Sequence, residues 1–205
     1  MSGPERVVPV FPLGTVLFPF AVLPLHVFEP RYRVMVRRVL DGDHEFGVVL
    51  IERGSEVGGG DTRFGVGTIA RVVQASELPD GRWALAVVGT RRFRVVGWRP
   101  DDPYPQAEIS ELDEAAVPSA DAAAARDRAG AAFDRLTLVV RALDPGVGVF
   151  PGLDPDPTQA SYEGAARAPV GPLDAQRLLE ASGPSERLDL LARLLDDVAD
   201  DLRRV

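Results

Sequence analysis

The hydrophobic pattern changes its period for good near Val117-Pro118, and that change divides the chain into two parts built by different rules. Before it, apolar residues gather in short alternating runs of the kind that form strands. After it they recur every three or four residues, as helices require. A chain of 205 residues with such a switch predicts an α+β protein, with a strand-rich domain over 1–117 and a helical one over 118–205.

In the first part the strand-like runs are Val7–Phe11, Ala21–Val27, Phe46–Ile51, Val66–Gln74, Arg82–Val88, Arg92–Trp98 and Gln106–Leu112. Pro12-Leu13-Gly14 reads as the turn that ends the first. Leu78-Pro79-Asp80-Gly81 is a hairpin signal between two others, and Gly54–Gly60 reads as a flexible loop. One segment breaks the rule. Tyr32, Met35, Val36, Val39 and Leu40 fall on one helical face, and Pro30 suits the first position of a helix over Pro30–Leu40. Many short strands around one early helix predict a closed or nearly closed β-barrel.

In the second part Ser119 and Asp121 can cap a long Ala-rich helix ending near Leu143. Pro145–Pro157 is a loop of Pro, Gly and Asp. Helices follow over Gln159–Ala168 and Leu173–Ala181. The last begins at Ser185, read as its N-cap, and carries Leu188, Leu191, Leu195, Val198 and Leu202 as a seam. Together they predict a helical bundle, with the seam packed inside the chain.

Composition removes whole classes of chemistry. The chain has no cysteine, so disulfides, thiolate nucleophiles and cysteine-ligated zinc are excluded. All 23 basic residues are arginine. Without lysine there is no Walker A loop, no Ser-Lys dyad and no Schiff base. The lysine-free, Arg/Ala/Asp-rich composition fits a GC-rich bacterial genome. No His/Asp/Glu spacing suggests a metal site, and no cofactor is expected. The expectation is a protein that binds rather than catalyses. Val7–Val27 is apolar but broken by Pro9, Pro12, Gly14, Pro19 and Pro24, which a spanning helix does not tolerate, and it lacks the basic n-region and smooth h-region of a signal peptide. The cytoplasm is the expected location.

Net charge is −8, unevenly spread: residues 1–100 carry a small positive excess and residues 101–205 a large negative one. That balance argues against general nucleic-acid binding.

Four stretches carry a family resemblance, in order: Val8-Pro9-Val10-Phe11-Pro12-Leu13, the run from Leu17 through Pro24-Leu25, Phe64-Gly65-Val66-Gly67-Thr68-Ile69-Ala70, and Leu78-Pro79-Asp80-Gly81. With these the chain resembles the Lon N-terminal domain, the substrate-recognition portion of Lon-type ATP-dependent proteases. Leu25-His26-Val27-Phe28-Glu29-Pro30-Arg31-Tyr32 looks like the short stand-alone bacterial members. The resemblance implies a PUA-like β-barrel followed by a helical subdomain. It implies a non-catalytic module for unfolded or extended polypeptides, with a role as adaptor to a separate protease. A PUA-like module for RNA or a small ligand is the alternative.

Three groups of residues are candidates for sites. Phe11, Leu17, Phe18, Phe20 and Val22 are more apolar surface than one small strand can bury among prolines, so Phe11, Phe18 and Phe20 are candidate peptide contacts, weighed evenly against ordinary core. Arg92 and Arg94, with Arg91 and the arginines of the first helix, could form a basic patch for RNA, although a solvated or salt-bridged face is favoured. His26 and Glu29 stand close enough in sequence for acid–base work, but a strand-to-helix junction is the stronger reading of both.

Overall fold

The computed structural model describes residues 5–53, 62–116 and 119–204. The Gly54–Gly60 loop and the Val117-Pro118 boundary lie outside the described residues. The chain forms two compact units that meet between Asp113 and Glu114.

Among the described residues, unit 1 holds six strands and one helix: β1 (Arg6–Leu13), β2 (Val22–Val27), α1 (Pro30–Leu40), β3 (Glu45–Arg53), β4 (Thr62–Glu77), β5 (Trp83–Arg99) and β6 (Gln106–Glu111). They make one mixed sheet in the order β2-β5-β4-β3-β1-β6, with a further pairing of β5 to β6. Of the described pairings, β1 with β3 is the parallel one and the others are antiparallel. In place of the expected barrel, the described strands form one mixed six-stranded sheet whose long fifth strand pairs twice on one side.

Two differences from the sequence reading have clear causes. The runs read as Arg82–Val88 and Arg92–Trp98 belong to one strand, Trp83–Arg99, with Arg82 left in the turn. Ile69 pairs with Arg91 and Ala70 with Gly89, so Thr90 is an extra, bulged residue where β5 leaves β2 and meets β6. The Thr90 hydroxyl donates to the Ile69 carbonyl at 3.0 Å, holding the bulge. Pro12 and Leu13 also lie inside β1 rather than in a turn. The Val10 N–H donates to Pro105 O on the β6 side, and by alternation Pro12 faces that same side, beyond the end of β6. No ladder bond is required there, so a proline fits.

Elsewhere the local signals hold. Leu78 N–H donates to Arg82 O and Gly81 N–H to Leu78 O, closing the hairpin, with Gly81 at φ +76. α1 buries Tyr32, Met35, Val36 and Val39 against Phe11, Leu13, Phe46 and Val87 of the sheet. A second cluster, including Val10, Ile69, Phe93 and Ile109, lies on the opposite face of the sheet, since its members alternate with those of the first along β1, β3 and β4.

Unit 2 holds α2 (Ser119–Leu143), α3 (Pro157–Arg167), α4 (Pro172–Glu180) and α5 (Pro184–Arg203). Ala125, Ala129, Ala132 and Leu136 of α2 are buried, as are Leu188, Leu191, Leu194, Leu195 and Ala199 of α5. The Arg128–Asp189 and Arg135–Asp196 ion pairs, two helical turns apart on both helices, show that α2 and α5 run in the same direction. Ser185 is not the N-cap of α5. Gly183 takes that position and Pro184 the first helical one, where its missing N–H costs nothing. No helix among the described residues is long and apolar enough to cross a membrane.

Candidate functional site

The sequence candidates separate sharply on burial. Phe18 is only 3% exposed and belongs to the core. Phe11 is buried as well, its ring stacked on Tyr32 of α1 with centroids 4.2 Å apart. Neither ring can serve as a freely exposed contact. Phe20 is 51% exposed, and Val22 is exposed beside it.

Backbone geometry explains the division. The turn after β1 places Phe20 at φ +67, a left-handed conformation that bulky side chains rarely adopt. Three hydrogen bonds hold it: Phe20 N–H to Gly89 O at 2.8 Å, Gly89 N–H to Ala21 O at 2.9 Å, and Ala21 N–H to Phe18 O at 3.1 Å. A Cβ on residue 89 would lie 2.1 Å from Phe18 O, so only glycine lets the turn sit this close to β5. The same turn sends Phe18 inward and Phe20 outward.

β2 continues the pattern. Leu25 and Val27 are buried, while Val22, Pro24 and His26 are exposed. Phe28 falls on the outward parity and is 53% exposed. It was missed as a site residue, yet the alternation of β2, carried one residue further, would have found it. Between β1 and β2 lies a pocket of about 160 Å³, walled by Phe11 and Leu13 on one side and Pro24 to Val27 on the other, with Phe28 and Tyr32 also lining it.

His26 and Glu29 both line this pocket, but they are not an acid–base pair. The Glu29 carboxylate accepts from Arg31 Nε at 3.1 Å, and Arg31 also lies over the Tyr32 ring. Among the described residues His26 has no side-chain hydrogen bond. The Glu29 side chain makes no cap bond to α1.

The basic patch does not assemble as read. Arg92 is 3% exposed, opposite the equally buried Thr68 on β4, so the sheet is covered on that side too. Arg91 is tied to carboxylates: its Nη2 donates to Glu45 at 2.8 Å and its Nε to Glu111 at 2.6 Å. Arg37 pairs with Glu77 at 2.7 Å. Arg94 is exposed. Among the described residues no group of three or more His, Asp or Glu side chains is placed to hold a metal ion.

The sequence pattern of the ATP-dependent protease La (LON) substrate-binding domain matches residues 7–197. The Lon protease of Cytophaga hutchinsonii is 36% identical over 110 residues, which are 53% of this chain and 14% of that protein. The Lon protease of Escherichia coli K12 is 26% identical over 202 residues, 97% of this chain and 26% of that protein. The chain therefore spans about a quarter or less of these relatives. Among solved structures, a Lon N-terminal domain protein from Xanthomonas campestris superposes with a TM-score of 0.66 at 26% identity, covering 92% of this chain and 98% of that one. The N-terminal domain of a Mycobacterium avium complex Lon protease gives 0.67 at 18% identity, covering 94% and 99%.

Proposed function

The chain belongs to the family of the ATP-dependent protease La (LON) substrate-binding domain, and from that membership we propose that it is a non-catalytic module that binds unfolded or extended polypeptides. Its partner in turn is a protease, to which it hands clients as an adaptor, and its place of work is the cytoplasm. The observation that carries the reading is the exposed apolar surface of Phe20, Val22 and Phe28 along β2 and its flanks, with Phe28 also lining the β1–β2 pocket. Large apolar side chains held outward on a rigid backbone supply sequence-tolerant contacts of about 1–2 kcal/mol each, enough for weak capture when several act together. The extra β5–β6 pairing supports a PUA-like barrel as the scaffold, since β1, β3, β4, β5 and β6 then pair in a circuit.

Because Phe18 is core, the informative variant is Phe20→Ser with Phe28→Ser. Retention of unfolded casein by immobilised protein is compared at two salt concentrations, with circular dichroism confirming the fold. The double variant is expected to lose most of the retained client at both salts. Full retention by the folded variant would reject this surface, and no retention by the unaltered protein would reject the function. Incubation with ATP and casein is expected to yield neither hydrolysis nor cleavage.

A further inference from the structure

We propose that a client segment is taken up as an added strand along the open edge of β2, with one uncharged apolar client side chain seated in the β1–β2 pocket. The proposal rests on the polypeptide-binding reading above and gives it a mode.

Among the described residues β2 is an edge strand of the sheet, with β5 as its only partner there. The direction of its backbone groups follows from the ladder. Gly89 N–H donates to Ala21 O, and alternation along the register makes Leu23–Val87, Leu25–Leu85 and Val27–Trp83 the bonded pairs. Val22, Pro24 and His26 therefore point their carbonyls, and the N–H groups of Val22 and His26, away from β5. Pro24 lacks an N–H at a position where β5 asks for none. Across the pocket, Pro12 of β1 faces its own open side for the same reason. The two prolines stand on the facing edges, and the gap between β1 and β2 stays unzipped.

That gap has the dimensions and polarity of a side-chain seat. Its volume of about 160 Å³ is close to the roughly 150 Å³ of an apolar cavity that accepts benzene. Among the described residues Glu29 is the only fully charged one lining it, and Arg31 at 3.1 Å cancels that charge. A neutral, apolar seat beside unpaired strand groups complements an extended backbone bearing a phenylalanine or leucine, and it disfavours a charged side chain. Phe20 before β2 and Phe28 after it bracket the edge. Main-chain bonding supplies affinity without demanding a sequence, as capture of unfolded chains requires.

The test uses a capped peptide of alternating threonine and valine with one central phenylalanine, and two N-methylated versions of it. One version is methylated at every odd residue, the other at every even residue. Strand addition predicts that one set weakens binding about five- to tenfold per blocked bond while the other leaves it nearly unchanged. In the unaltered protein the Val22 and His26 amides should exchange fast with solvent alone and slow with the peptide bound. Equal loss from both methylated sets, or unchanged exchange at Val22 and His26 with the peptide bound, would overturn the proposal. So would retention of unfolded casein by a protein that ignores the peptide. Failure to retain either ligand would instead overturn the polypeptide-binding reading beneath it.

Discussion

Gly89 holds Phe20 in its left-handed conformation, accepting the Phe20 N–H at 2.8 Å while leaving room that no other residue would leave. A half-exposed phenylalanine at φ +67 costs on the order of 1–2 kcal/mol. Phe20→Gly removes that cost along with the ring. Its melting temperature is expected to equal or exceed that of the unaltered protein, while casein retention falls. A clear loss of stability in thermal unfolding would show that the ring serves the fold. Gly89→Ala should do the opposite, destabilising unit 1 by pushing the turn off β5.

Arg187 is the hub of unit 2. It is 0% exposed, with Nη1 donating to Glu114 at 3.2 Å and to Ser161 at 2.8 Å, and with Nε and Nη2 donating to the carbonyls of Leu178 and Ala181. Its guanidinium lies 3.9 Å from the Tyr162 ring, whose hydroxyl donates to Glu114 in turn. Removing one partner of a buried pair typically costs about 3–5 kcal/mol, because the other charge is left unmatched. Arg187→Ala should lose about that much in urea titrations. Arg187→Lys should recover little, since an ammonium cannot reach four acceptors from one fork.

Unit 1 should lose stability in acid through Glu45. The carboxyl is buried, which raises its pKa, but hydrogen bonds from Arg91, Arg71 and Arg6 outweigh that and hold it at about 2, against 4.5 when unfolded. A lowered folded pKa adds stability that is complete above about pH 4.5 and disappears as pH falls toward 2. The full difference is about 3 kcal/mol. Glu45→Gln should flatten the stability of unit 1 over that window. An unchanged acid slope in the variant would mean that other carboxylates govern it.

The exposed rungs between α2 and α5 should matter far less. Arg128–Asp189 at 2.8 Å and Arg135–Asp196 at 2.9 Å are both open to solvent. Double-mutant cycles with alanine should give about 0.2–1 kcal/mol for each pair, less in high salt. A larger coupling would show that the rungs align the helices rather than decorate them.

What could be read from sequence follows the range of the forces involved. α1 keeps the bounds Pro30–Leu40 and the hairpin turn stands at Leu78–Gly81, because spacing and turn chemistry are local. The alternation of β2 likewise named its inward and outward residues. The interior arginines were not legible. Arg187 depends on Glu114, 73 residues away, and the burial of Arg92 depends on what covers the sheet opposite Thr68. Phe18 and Phe20 look equivalent beside Pro19. Only the contact with Gly89, reached through β5, separates core from surface.

Pro24 has a last consequence, for how copies of this protein treat one another. An apolar strand edge that can accept a foreign segment can also template its own aggregation. Two β2 edges laid together would each bring a proline, so that ladder would lack a donor from both sides. A proline-free guest would lack one from a single side. The edge is therefore biased against self-adhesion while its carbonyls remain open to strangers.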